Sequence, residues 1–262
     1  MSSNDHPLRD VSDNKVAWVT GASSGIGRDL VLRLARDGWT VAASARTMSS
    51  LQQLAAIMPD RIHAFPVDVT EGRSVAATLS SIEETIGEIG LAVFGAGTYR
   101  RETAEAFDAA AIREMVDLNL MGTVNCLESI LQRMLPRGRG HIAVMASVSG
   151  YTVLPGAAGY GATKAALINM CEALYPELNA KGIRLSLINP GFVDTPLTRR
   201  NDFPMPFLIP ASEAAEHIVK GLLRNKFEIV FPWKMALSMK LLRALPARLR
   251  FLITRRMLRD EE

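Results

Sequence analysis

Short apolar runs alternate along the chain with stretches whose apolar residues recur every three or four positions. Residues 15–20 are apolar without alternation and are closed by Gly21, which predicts a strand buried on both faces. Residues 25–37 carry Ile26, Leu30, Leu34 and Ala35 at helical spacing and stop at Gly38. The alternation continues. Strands are predicted at 39–44, 62–67, 91–94, 141–145, 183–188 and 227–231. Helices are predicted at 48–58, 74–86, 104–118, 121–135, 159–180 and 212–224. Pro59 stops the second helix, and Ser212 with Glu213 offers a cap and a first-turn acid to the last. Strand following helix throughout predicts an α/β fold: a three-layer, doubly wound parallel sheet with right-handed crossovers. Residues 194–210, rich in Pro, Thr and Arg, predict a mobile loop.

The two ends break the pattern. Residues 1–14 are polar, lack an apolar core of the signal-peptide kind, and predict a disordered tail. Residues 15–232 read as one domain, and 233–262 as a helical C-terminal appendage with a break near Pro246. The appendage holds eight Lys and Arg against three Asp and Glu. Its net +5, against +3 for the whole chain, leaves the body at −2. Two readings of it compete: its apolar face packs on the body or a partner subunit, or 233–259 meets an anionic membrane surface. Nucleic acid is excluded as a partner because no recognised nucleic-acid module accompanies the charge.

Hydrophobic residues make up 48% and charged residues 22%, an ordinary balance for a soluble globular protein. No uninterrupted apolar run reaches the roughly 18 residues of a spanning helix. Cys126 and Cys171 lie far apart in apolar surroundings with no C-x-x-C or His-rich cluster. They read as buried free thiols in a reducing, cytoplasmic setting, with no metal site. His6, His63, His141 and His217 read as surface or packing residues.

The chemistry concentrates in a few places. Tyr160 and Lys164 are four apart on a predicted helix, so they share a face. A cation beside a phenol favours the phenolate, which makes the pair a general acid/base tuned toward neutrality. Ser147 lies thirteen residues before the tyrosine, at the end of a predicted strand. The run Gly21-Ala22-Ser23-Ser24-Gly25-Ile26-Gly27 joins the first strand to the first helix. Such a turn lets backbone approach a pyrophosphate, and the helix start supplies free N–H groups. After the second strand there is no acid between Asp37 and Asp60 to hold a ribose 2′-hydroxyl. Arg46 stands there instead and suits a 2′-phosphate, with Ser44 and Ser24 as helpers, so NADP is favoured over NAD.

Taken together, these motifs resemble the short-chain dehydrogenase/reductase family over about residues 13–232. The matching stretches are Thr20 through Gly27, Asn119 within Asn-Leu-Met-Gly, Ser147, Tyr160 with Lys164, and Pro190-Gly191. The resemblance implies a Rossmann-type fold and oxidoreduction of an alcohol/carbonyl pair with a nicotinamide dinucleotide. It implies Tyr160 as acid/base, and Lys164 lowering its pKa and binding the nicotinamide ribose. It implies Ser147 orienting the substrate oxygen, and Asn119 holding a relay water. Asp68 and Val69 would flank the adenine, while Gly95, Gly97, Pro190, Gly191, Val193 and Thr195 would line the cofactor cleft, Thr195 near the carboxamide. Ser149 has the wrong spacing for the serine role and shapes the loop. A homodimer or homotetramer paired through the long helices is also implied.

One stretch departs from the family pattern. Phe94-Gly95-Ala96-Gly97 stands where Asn-Asn-Ala-Gly is usual, so both asparagines are missing. Gly95 is expected to leave that support open to water, and Phe94 to add apolar bulk. The loss supports a competing function, a dinucleotide-sensing or scaffold protein with little turnover. A Ser/Lys hydrolase built on Ser147 and Lys164 is disfavoured, because no G-x-S-x-G elbow is present.

Overall fold

The computed structural model describes residues 15–152, 154–200 and 204–256. The tail at 1–14, part of the 194–210 loop and residues 257–262 lie outside them. Strand β1 (Val16–Thr20) is buried at all five positions. Its Val16 and Trp18 enter one core, and Ala17 and Val19 the other. An unbroken apolar run suits a strand covered on both faces.

Six more strands join it: β2 (Thr40–Ser44), β3 (Ile62–Ala64), β4 (Leu91–Phe94), β5 (Gly140–Met145), β6 (Ile183–Pro190) and β9 (Glu228–Phe231). All pair in parallel, in the order β3-β2-β1-β4-β5-β6-β9. Helices α1 (Gly25–Arg36), α2 (Met48–Ala55) and α7 (Ala211–Leu223) cover one face, burying Leu34, Leu51 and Ile218. Helices α3 (Gly72–Thr85), α5 (Gly122–Arg137) and α6 (Ala158–Ala180) cover the other, burying Leu79, Ile130 and Leu167. The strand order reverses between β1 and β4. A crevice for a ligand opens at the carboxyl ends of such a pair, here beyond Thr20 and Phe94.

Several boundaries differ from the sequence reading. Helix α4 (Ala109–Met115) starts at 109 rather than 104, because the Asp108 carboxylate caps it by accepting from the Ala110 N–H at 2.8 Å. No break follows. A π-helical turn, Val116–Met121, carries α4 straight into α5 and turns Asn119 fully inward. Helix α7 is not capped by Ser212; its N-cap is Pro210. The 194–210 loop is tied at its base, where β7 (Val193–Asp194) pairs in parallel with β8 (Ile209–Pro210).

The C-terminal region is helical, with α8 (Trp233–Ala244) and α9 (Ala247–Arg255) meeting at Pro246. Met235, Ala236, Met239 and Leu242 of α8 belong to the same core as α5 and α6. Lys240 pairs with Glu228 of β9 at 2.5 Å, and Arg243 donates to the Tyr151 carbonyl at 2.8 Å. On α9 the described contacts are few: Thr254 is its buried residue, while Leu249, Phe251 and Leu252 are exposed. No helix among the described residues is long and apolar enough to cross a membrane.

Candidate active site

The glycine turn after β1 is set by close approach. Gly21 has φ +72°, and a Cβ there would lie 2.6 Å from the Gly95 carbonyl oxygen. Gly25 has φ +54°, and its Cβ would lie 2.9 Å from Thr195 Cγ2. The turn is thus pressed between the end of β4 and the segment after β6, where any side chain would intrude. Helix α1 then starts at Gly25 with Ser24 as N-cap, no side-chain cap and no acid in its first turn. Its leading N–H groups and positive end suit a pyrophosphate.

A cleft opens beside this turn. Ile26, Gly95, Gly97, Ser147, Tyr160 and Lys164 line it, joined by Pro190, Gly191, Val193 and Thr195. Met145, Ala146, Leu197 and Thr198 also line it, and the sequence reading had not singled them out. Met145 ends β5, and Ala146 follows it and leads to Ser147. Their position at the carboxyl end of a parallel strand was the available signal.

Ser147 and Tyr160 line the same cleft, and Ser147 acts on the phenol to lower its pKa. The Ser147 Oγ also accepts from the Ser149 N–H at 3.1 Å and lies 3.4 Å from the Pro190 carbonyl oxygen. Ser149 shapes the turn, as its spacing predicts. Lys164 is 5% exposed, and its Nζ donates to the Met145 carbonyl at 2.9 Å. That Nζ lies 5.6 Å from the centre of the Tyr160 ring.

The electrostatics differ from the expectation that Lys164 lowers the phenol pKa. Burial pushes Tyr160 up to about 12, the Ser147 hydrogen bond pulls it back, and Tyr99 adds to the rise. Burial brings Lys164 down to about 8. The physical reason is placement. The ammonium sits over the ring and is spent on a backbone carbonyl, while both groups are desolvated.

The Asn119 side chain is fully engaged. Its Oδ1 accepts from the Thr98 N–H at 2.7 Å, and its Nδ2 donates to the Thr98 carbonyl at 3.0 Å and to Thr163 Oγ1 at 3.2 Å. It neighbours Lys164 across Gly97: a Cβ on Gly97 would lie 3.2 Å from Asn119 Oδ1 and 3.8 Å from Lys164 Nζ.

Gly95 is half-buried and lines the cleft. A Cβ there would meet Met145 Cε at 3.4 Å, so the methionine fills the space. The Gly95 N–H donates to Thr20 Oγ1 at 3.1 Å. Phe94 turns away into the core and packs edge-on against Trp18, centroids 5.5 Å apart.

The residues around the ends of β2 and β3 differ in exposure. Arg46 is exposed at the turn after β2. Burial pushes the Asp68 carboxyl up, but hydrogen bonds from Thr70 and the Arg46 charge together hold it below its ordinary value. Ser23 lies partly buried in the glycine turn, and Gly27 is buried where α1 begins. Val69 is buried, facing Gly122 rather than the crevice. Ser44 is not available to a phosphate, because it is buried and accepts from Trp18 Nε1 at 3.0 Å. The histidines in the described residues lie apart from the cleft. His141 is buried against Ser186 at 2.8 Å, with burial and then the Arg184 charge bringing it down to about 3. His6 lies outside the described residues. Both cysteines are free and buried, with burial pushing Cys171 up to about 12 and Cys126 higher still.

The sequence pattern of the short chain dehydrogenase family matches residues 15–203. The chain belongs to the short-chain dehydrogenase family. An uncharacterized oxidoreductase of Myxococcus xanthus is 36% identical over 235 residues, 88% of this chain and 93% of the other. A short-chain dehydrogenase/reductase from Burkholderia phymatum, solved with NAD, superposes with a TM-score of 0.81 at 22% identity, over 95% of this chain and 98% of the other. An actinorhodin polyketide ketoreductase solved with NADPH gives 0.77 at 25% identity, over 86% and 98%. This short-chain dehydrogenase is therefore an NAD(P)-dependent oxidoreductase with the Rossmann-like sheet of its relatives. Among its described residues no group of three His, Cys, Asp or Glu could hold a metal ion.

Proposed function

We propose that this short-chain dehydrogenase uses NADP(H) to interconvert an alcohol and a carbonyl on a hydrophobic substrate, with Tyr160 as acid/base. The observation that carries this reading is the convergence of Tyr160, Ser147, Lys164 and Gly191 on one cleft. The nicotinamide, when bound, supplies the hydride. In the reducing direction Tyr160 gives its proton to the substrate oxygen, and Ser147 orients that oxygen by hydrogen bonding. A phenol held up at about 12 stays protonated at neutral pH and serves as donor. Lys164, which lines the same cleft, would hold the nicotinamide ribose hydroxyls. Asn119 holds the Thr98 backbone beside Lys164 and borders any relay water.

The NADP preference rests on Arg46, exposed where no carboxylate lies between Asp37 and Asp60. Ser24, also exposed, is placed to help. The hydrophobic substrate rests on Leu197 in the cleft and on the exposed Phe207 and Leu208 of the adjoining loop. A cytoplasmic location is supported by two buried free thiols, and a homodimer or homotetramer by family resemblance.

The C-terminal helices suit peripheral contact with an anionic bilayer. Trp233, Leu237 and Leu241 are exposed at four-residue spacing on α8, and Leu249, Phe251 and Leu252 are exposed on α9. No acid occurs from 233 to 256. An isologous contact with a second copy would set cations against cations, whereas anionic headgroups complement them.

The decisive experiment is Tyr160→Phe in the full chain. Turnover of NADPH with carbonyl substrates is expected to vanish while NADPH binding persists. Near-normal turnover rules out the assigned role.

A further inference from the structure

Helix α6 begins two residues before Tyr160, and its N-cap, Ala157, has no side chain that can cap it. The cap comes from elsewhere. Glu102, 57 positions away in sequence, accepts the Gly159 N–H on its Oε2 at 2.6 Å and is 4% exposed. Its other oxygen, Oε1, is buried without a hydrogen-bond partner. A Cβ on Gly159 would stand 2.6 Å from that Oε1 and 2.9 Å from Met115 Cε, so the residue before Tyr160 is held tightly between Glu102 and α4. Burying a carboxylate with one oxygen unsatisfied is costly, and the positive end of a helix offsets only part of it.

The same segment grips the tyrosine from the side. Tyr99 packs edge-on against the Tyr160 ring, centroids 5.3 Å apart. Its hydroxyl donates to the Gly156 carbonyl at 3.0 Å, and the Glu102 N–H reaches the same carbonyl at 3.3 Å. Thr98, next in line, is clamped by the Asn119 amide. A continuous chain of contacts thus runs from the π-helical turn through residues 98–102 to the first turn of α6.

We infer that Glu102 and Tyr99 are positioning residues for the Tyr160 hydroxyl, holding it in the cleft that Ser147 also lines. The inference rests on Tyr160 being the acid/base. Glu102 sets the height of the helix turn that carries Tyr160, and Tyr99 sets the tilt of its ring. Asn119 serves the same end by fixing Thr98.

The test uses Glu102→Ala, Glu102→Gln and Tyr99→Phe in the full chain. Two readouts are needed: steady-state kinetics with NADPH and a carbonyl, and titration of the Tyr160 resonance by tyrosine-13Cζ NMR, assigned by its loss in Tyr160→Phe. Glu102→Ala is expected to lower kcat at least about tenfold, because a small misplacement of the reacting group is enough. Its KM for NADPH should stay within about twofold, since the hydrogen bond it removes does not involve the dinucleotide. The Tyr160 titration midpoint should move with kcat. Glu102→Gln keeps an oxygen for the Gly159 N–H and should recover kcat to within about threefold of the parent. Unchanged kcat and an unchanged titration in Glu102→Ala overturn the inference, leaving Glu102 a plain helix cap. Should that variant fail to fold, Tyr99→Phe decides: an unmoved Tyr160 titration overturns the inference. The NMR readout needs no substrate, so a wild type that turns over no carbonyl would sink the acid/base reading yet still report on the brace.

Discussion

The Lys164 ammonium donates to the backbone carbonyl of Met145 at 2.9 Å. The side chain of the same methionine fills the space beside Gly95, with Cε 3.4 Å and Sδ 3.7 Å from where a Cβ would stand. One residue at the end of β5 thus anchors the lysine and replaces the bulk of a missing asparagine. The main support for a non-catalytic sensor, an opened support beneath the site, is weakened by this packing.

Restoring the family residue should therefore harm this protein. Gly95→Asn would put a Cβ 3.1 Å from the Thr20 carbonyl oxygen and against Met145 Cε. Overpacking of this kind costs about 1–3 kcal/mol. Met145→Ala in the same chain should recover part of that loss, read from denaturant midpoints. Strict additivity of the two changes would show that the residues do not meet.

Alkaline stability should carry the signature of Lys164. Its folded pKa, about 8, lies below the ordinary 10.5. Between those values the unfolded chain binds more protons, so stability should rise with pH across that window, by about 3 kcal/mol at most. Tyr160 acts oppositely. Its pKa is raised from 10.0 to about 12, so its contribution is lost as pH climbs through that range. Lys164→Met should flatten the rise between pH 8 and 10.5 in urea titrations; an unchanged slope would assign it to another group.

Arg46 should separate the two dinucleotides. Arg46→Ala is expected to raise the KM for NADPH about tenfold or more, as befits loss of a charge-assisted phosphate contact, with NADH within about twofold. Equal effects on both cofactors would show that the guanidinium does not read the 2′-phosphate.

The bilayer contact should respond to charge. The triple variant Arg248→Glu, Arg255→Glu, Arg256→Glu changes exposed residues of the α9 region and should weaken binding to phosphatidylglycerol vesicles by at least about tenfold, each cation counting for about 1 kcal/mol. Its turnover of a soluble carbonyl should match the parent. Undiminished vesicle binding, or no binding by the parent, would dismiss the bilayer. A chain cut at Pro232 is a poor control, because Met235, Met239 and Leu242 belong to the core and their loss would unfold it.

Most of the sheet was legible because parallel strands buried on both faces leave unbroken apolar runs, as at 15–20 and 183–188. The helix at 104–118 was misjudged because its periodicity extends past the true start. The Asp108 cap, one side chain on one N–H, outweighs it locally. The π-helical turn was invisible, since a single widened turn leaves no periodic trace. Ser44 looked available from its place at a strand end, and only packing showed Trp18 claiming its oxygen.

Sequence by itself determined the family, the alternating architecture, and the spacing that brings Ser147, Tyr160 and Lys164 into one cleft. Those follow from local periodicity and from fixed helix and strand geometry, which neighbours in the chain suffice to set. Only the tertiary structure decided what each polar group is spent on. It sent Lys164 to a carbonyl, Asn119 to Thr98, Met145 into the space beside Gly95, and Glu102 to the start of α6. Those partners lie 19 to 57 residues apart in sequence. Which of them meet depends on burial and close packing across layers, and no local pattern records that.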